Sequence, residues 1–78
     1  MLKIKDSVDL KELEKFGFYL EGNTYKKDIG HHKCIAICYI DRIIIIPKLN
    51  KWSLKSKDII KYTIKELIEA GLVEKVEE

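Results

Sequence analysis

Residues that break or staple a chain are scarce in this sequence. Its 78 residues include four glycines, one proline and two cysteines. So little glycine and proline excludes collagen-like and low-complexity architectures. Two cysteines cannot build the disulfide framework of a small secreted scaffold. No apolar stretch reaches the roughly 18 residues that a membrane-spanning helix requires. Met1 is followed by LKIKDSVD, which lacks the apolar segment of a secretory signal. The expectation is a protein of the reducing cytoplasm with both thiols free. A glycine-rich phosphate loop, a CxxC pair and a pocketed pair of carboxylates are also missing. The glycines are scattered, Glu12 and Glu14 fall on a helix surface, and Glu74 to Glu78 form a tail. The residues therefore read as a non-catalytic protein, with no catalytic residue, no cofactor and no metal.

What the sequence does contain is charge and branched aliphatic residues. It is 46% hydrophobic and 36% charged, the composition of an ordinary globular protein. Its length predicts a single domain, 1–78, that buries about 60% of its unfolded surface. The formal net charge of +2 conceals a division along the chain. Residues 1–25 carry four lysines against five acids, residues 26–61 nine Lys or Arg against three Asp, and residues 62–78 two lysines against five Glu, for nets of −1, +6 and −3. Positive charge is concentrated in the middle and the tail is acidic.

The run CIAICYIDRIIIIP, Cys34 to Pro47, is the apolar centre of the chain, broken only by Asp41-Arg42. Its β-branched content predicts strands at 33–40 and 43–47 about a turn at Asp41-Arg42, or one long bent strand. Pro47 cannot donate to a ladder and marks the strand's end. Before it, Leu2 to Lys5 alternates apolar and basic as a short strand. Asp9 and Glu12 form a capping box for a helix over 10–16, with Val8 and Leu13 at staple positions. Gly17 is placed to end that helix. Phe18–Glu21 and Thr24–Lys27 read as a hairpin about Gly22-Asn23, followed by a loop at 28–32. Lys48 to Ser56 reads as a second loop. Ser56 then caps a long helix over 57–70, whose stripe is Ile60, Ile64, Leu67 and Ile68, with Ile59 and Thr63 flanking. Gly71 and Leu72 supply a Schellman stop, and 72–76 a charged edge strand. The predicted fold is α+β: an antiparallel sheet of four to five strands with one short and one long helix. If both helices cover one sheet face, the other is exposed or covered by a partner.

Two constellations could carry chemistry. His31, His32, Cys34 and Cys38 are the only cluster of soft ligands. Within one strand, however, Cys34 and Cys38 lie about 13 Å apart, too far to share a metal or a disulfide. Buried thiols and loop histidines are the simpler reading, and a cysteine inside an apolar run lacks the electropositive setting of a nucleophile. The second constellation is basic. Lys48, Lys51, Lys55, Lys57 and Lys61 surround Trp52, with Asp58 the only acid between them. Such a patch suits a phosphate backbone with a base stacked on the indole. It equally suits an acidic protein surface that takes Trp52 as an anchor. The bland reading is a solvated loop with Trp52 folded over the core edge.

The C-terminal stretch IIKYTIKELIEAGLVEKVEE resembles the end of a winged-helix DNA-binding domain, where a helix reading I-x-x-L-x-x-x-G-L-V leads into a wing strand. That resemblance implies direct nucleic-acid binding through the basic stretch Lys48–Lys61. The upstream sequence departs from it, with one two-turn helix where a winged helix needs two or three. VDLKELEKFGF (Val8 to Phe18) and LIEAGLVEKVEE (Leu67 to Glu78) resemble the ends of small phage and prophage proteins of Gram-positive bacteria. This second resemblance implies a host protein as partner, nucleic-acid-handling proteins among the candidates. It includes the inhibitors of host defence nucleases, the anti-CRISPR proteins among them. It offers no catalytic residues. The expectation is a cytoplasmic protein of the host cell that binds a host protein, has no membrane contact, and could form a homodimer through the apolar centre.

Overall fold

The structure, a computed structural model, describes residues 1–30, 32–49 and 54–76. The chain runs β1 (Leu2–Ile4), a short 3-10 helix (Leu10–Phe16), β2 (Tyr19–Glu21), β3 (Thr24–Gly30), β4 (Lys33–Cys38), β5 (Ile44–Ile45), α1 (Leu54–Glu69) and β6 (Val73–Lys75). It is an α+β fold with two antiparallel sheets. One has four strands in the order β2-β3-β4-β5, and the other pairs β1 with β6. A single antiparallel bridge, Lys3 to Ile43, joins the two.

The first helix starts where the capping chemistry predicts. The Asp9 carboxylate accepts from the Lys11 amide at 3.0 Å. The reciprocal arm of the capping box does not form, because Glu12 instead pairs with Lys15 at 2.8 Å. The segment winds as a 3-10 helix, with the Glu12 amide on the Asp9 carbonyl. Seven residues is long for that geometry, and packing holds it: Leu10 and Leu13 are buried.

Both helices end in the same way. The Gly17 amide bonds to Glu14 O and the Phe18 amide to Leu13 O. At the other end of the chain, the Gly71 amide bonds to Ile68 O and the Leu72 amide to Leu67 O. Gly17 and Gly71 have φ of 88° and 73°, the left-handed conformation this stop needs and side chains disfavour. Each stop feeds an apolar residue, Phe18 or Leu72, back towards the core.

The hairpin about Gly22-Asn23 forms in the expected register, with Glu21 opposite Thr24. The segment 28–32, expected as a loop, mostly is not one. β3 continues to Gly30, and the chain turns back at once into Lys33. The register shifts between Asp28 and Gly30, so Ile29 is one residue too many for the β4 ladder. The turn at Asp41-Arg42 separates β4 from β5, which settles two strands against one bent strand.

The expectation that Ser56 caps the long helix is corrected. α1 begins at Leu54, so Ser56 lies within its first turn and is fully buried. Its hydroxyl donates to the carbonyl of the bulged Ile29 at 2.6 Å, joining α1 to β3. The buried stripe is rotated accordingly. Ser56, Thr63 and Leu67 are its centre, Ile60 and Ile64 are half-buried, and Ile59 and Ile68 are exposed. The core is Ile4, Leu10, Leu13, Phe18, Tyr25, Ile29, Ile35, Ile37, Ile44 and Leu67.

Candidate partner-binding surfaces

Strand register assigns each sheet residue to a face, because directly paired residues point the same way. Leu20, Tyr25, Ile37 and Ile44 form one row on the inner face. Both helices contribute to the core that covers that face, and α1 packs along β3. Tyr19, Lys26, Ala36 and Ile45 form the matching row on the outer face. Glu21, Thr24 and Cys38 form a second outer row, and Asp28 with Cys34 a third. No described element packs over the outer face.

The thiols are therefore not core residues. Cys34 and Cys38 are free, half-buried and on the outer face, flanking Ala36. Alternation along β4 decides this, since the core positions belong to Ile35 and Ile37. His32 is exposed in the β3–β4 turn with φ of 59°, and His31 lies outside the described residues. Among the described residues, no three of His, Cys, Asp and Glu converge as a metal site would require. Tyr19 donates its hydroxyl to Asp28 at 3.2 Å. Its pKa is raised above the ordinary tyrosine value, first by partial desolvation and then by the Asp28 carboxylate.

The basic stretch is distributed over more than one element. Lys48 is exposed after β5, while Lys51 and Trp52 lie outside the described residues. Lys55, Lys57 and Lys61 are all exposed on α1, as expected for Lys57 and Lys61, whereas Lys55 was expected in the loop. A helix advances about 100° per residue, so Lys55 and Lys57 stand on opposite flanks. Lys57 and Lys61 share a row one turn apart, and exposed Lys65 extends it. Lys65 reaches Glu69 at 3.9 Å, whereas neither Lys57 nor Lys61 forms an ion pair among the described residues. Leu54, 67% exposed, and Ile68, 51% exposed, fall within the same arc at the two ends of this row. Lys55 instead shares its flank with Ile59, Tyr62 and Glu66.

Arg42 was legible in the sequence only as part of a turn. It has φ of 62°, an uncommon conformation for a side-chain-bearing residue. Its guanidinium donates to Lys5 O at 2.7 Å and to Val8 O at 2.6 Å. Asp41 accepts from the Ile43 amide at 2.9 Å, and the Ile4 amide bonds to Arg42 O. Arg42 thus ties the β4–β5 turn to the segment between β1 and the first helix. It is a structural lock, and no pattern in the sequence distinguishes it from a solvated turn arginine.

Among the described residues, no helix is long and apolar enough to cross a membrane. Compared with protein-family models, with curated proteins and with solved structures, the chain matches none.

Proposed function

We propose that this is a non-catalytic binding domain that docks an acidic surface of another protein through the outward face of α1. The row Lys57–Lys61–Lys65, bracketed by exposed Leu54 and Ile68, carries the reading. Lysines one turn apart repel each other by a few tenths of a kcal/mol per pair; Glu69 offsets this in part at Lys65, and an anionic partner would offset it at Lys57 and Lys61. The apolar brackets favour a protein over a nucleic acid. A phosphate backbone needs the lysines alone, whereas a protein interface also buries apolar side chains. Lys55, with exposed Ile59 and Tyr62, stands on the opposite flank and is not part of this surface.

The sequence resemblance to phage proteins makes a host protein the partner class, with defence nucleases of the CRISPR type included. Electrostatics constrains how such a nuclease would be held. Its nucleic-acid groove is itself basic and would repel a lysine row, so contact falls on an acidic surface outside the groove. Direct nucleic-acid binding through Lys48, Lys51, Trp52, Lys55, Lys57 and Lys61 is the competing outcome.

The test is capture from host lysate with and without nuclease, beside binding to an isolated oligonucleotide. The Lys57→Glu/Lys61→Glu double reversal is expected to lower protein capture at least about tenfold while leaving the circular dichroism spectrum unchanged. Nuclease-resistant capture by the parent with no oligonucleotide binding is the supporting result. Oligonucleotide binding that falls steeply with salt replaces this reading with the nucleic-acid one. Capture unaffected by the double reversal removes α1 as the contact.

A further inference from the structure

β4 is apolar on both sides. Ile35 and Ile37 point into the core, and Cys34, Ala36 and Cys38 point out. Strands that are apolar on both sides are characteristically covered on both sides, and the described residues cover β4 on one only. The neighbouring strand repeats the pattern. Ile44 is buried while Ile45, opposite Ala36, is 55% exposed, and Ile46 after it is exposed as well. By contrast β3 alternates as a half-solvated strand does, with Tyr25 inward and Thr24 and Lys26 outward.

We propose that two copies of this chain associate back to back through the apolar half of the outer sheet face, Cys34, Ala36, Cys38 and Ile45. Charge selects a second copy as the occupant. Glu21 and Lys26, the charged pair on this face, already neutralise each other at 3.4 Å, which leaves Asp28, hydrogen-bonded by the neutral Tyr19 hydroxyl, as the one uncompensated charge, in the end row beside Cys34. A copy of the face therefore meets a single like charge, Asp28 at its end, which a two-fold axis through Ala36 keeps away from the centre, and a strongly charged partner finds little to hold. The face of α1 is the opposite case, since two copies meeting there would oppose their lysine rows. The small side chains Ala36, Cys34 and Cys38 also leave a flat strip that a two-fold axis can make complementary to itself.

Area sets the strength. The apolar half of the face is β4 and β5, two strands about 4.8 Å apart along the six residues of β4 at about 3.3 Å each, and presents about 200 Å². A standard interface needs about 800 Å² per partner, so the dimer dissociates on dilution. Both helices lie on the far side of each sheet, so the pair presents two lysine rows outward. An acidic partner with two sites would be held by both. The dimer itself does not depend on what α1 binds.

The experiment is sedimentation velocity of the full chain from about 1 µM to about 500 µM, a range that brackets micromolar affinity. The sedimentation coefficient is expected to rise from that of one chain towards that of two. Over the same range, the reaction of Cys34 and Cys38 with Ellman's reagent should slow several-fold. Ile45→Lys should keep the protein monomeric with an unchanged circular dichroism spectrum. Ala36→Lys tests the centre of the face, and Ile45→Lys decides alone should that variant not fold. The Lys57→Glu/Lys61→Glu protein should still dimerise, so this inference and the α1 reading fail separately. A monomer throughout, with thiol reactivity independent of concentration, overturns the proposal. So does a dimer that survives Ile45→Lys, because the interface then lies elsewhere.

Discussion

On the inner face of the four-stranded sheet, β4 offers two isoleucines that water does not reach. On the outer face, the same six residues offer two thiols and a methyl group that water reaches in part. Apolar character does not separate the two sets, because all belong to one apolar strand. The difference is parity. A strand sends alternate side chains to opposite faces, so which set becomes core depends on where the helices land. The larger residues take the side that the helices close, and the smaller ones take the side left open. Apolar content by itself therefore does not mark a core position in this protein. Size at alternate positions, together with a covering layer, does.

Substitutions along β4 and its neighbours sharpen this contrast. The largest effect is expected inside. Ile37→Ala removes branched aliphatic volume from a site with no exposure and should cost about 2–4 kcal/mol, read as a lowered urea midpoint. In a small domain that is a large share of the total stability. If Ile37→Ala and an outer-face change shift the midpoint equally, the assignment of faces is wrong.

An intermediate effect belongs to the lock at the end of the two strands. Arg42→Ala withdraws a charged donor from the carbonyls of Lys5 and Val8 and should cost about 1.5–3 kcal/mol. Hydrogen exchange checks the location of the damage. The Ile4 and Lys5 amides should lose protection, because the Arg42 carbonyl and the β1–β6 pairing are anchored through that turn. Unchanged protection there would reduce Arg42 to a surface residue.

The smallest effect is expected outside. Ile45→Thr on the dilute monomer should move stability by no more than about 0.5 kcal/mol, because Ile45 is more than half exposed. The same variant at high concentration should lose self-association. A cost of several kcal/mol at low concentration would mean that the chain covers this face itself.

The short helix and its cap, the Gly22-Asn23 hairpin, the break at Asp41-Arg42 and the glycine stops at Gly17 and Gly71 were all legible in the sequence. Each is set by contacts a few residues apart, which short-range chemistry records directly. Ser56 shows where that reasoning ends. A serine near the start of a helix reads as a cap by position alone. The real start lies earlier, at Leu54, and a carbonyl 27 residues upstream engages the hydroxyl. The bulge that frees that carbonyl is a register shift between β3 and β4, which no local pattern of residues announces. The basic stretch was legible as charge and not as a surface. Its lysines divide over opposite flanks once the helix begins before Lys55, and Lys65, beyond the stretch, joins the row instead.

The sequence by itself determined the element types, the α+β class and the points where elements stop. Those follow from periodicity, capping and turn chemistry over a few residues. Only the tertiary structure decided which face of β4 is core, which flank of α1 carries the lysine row, and that Arg42 is a lock. Each of these depends on two segments far apart in the chain meeting in one orientation. That orientation is selected by burying the greatest apolar volume on one side of the sheet, a sum over the whole molecule.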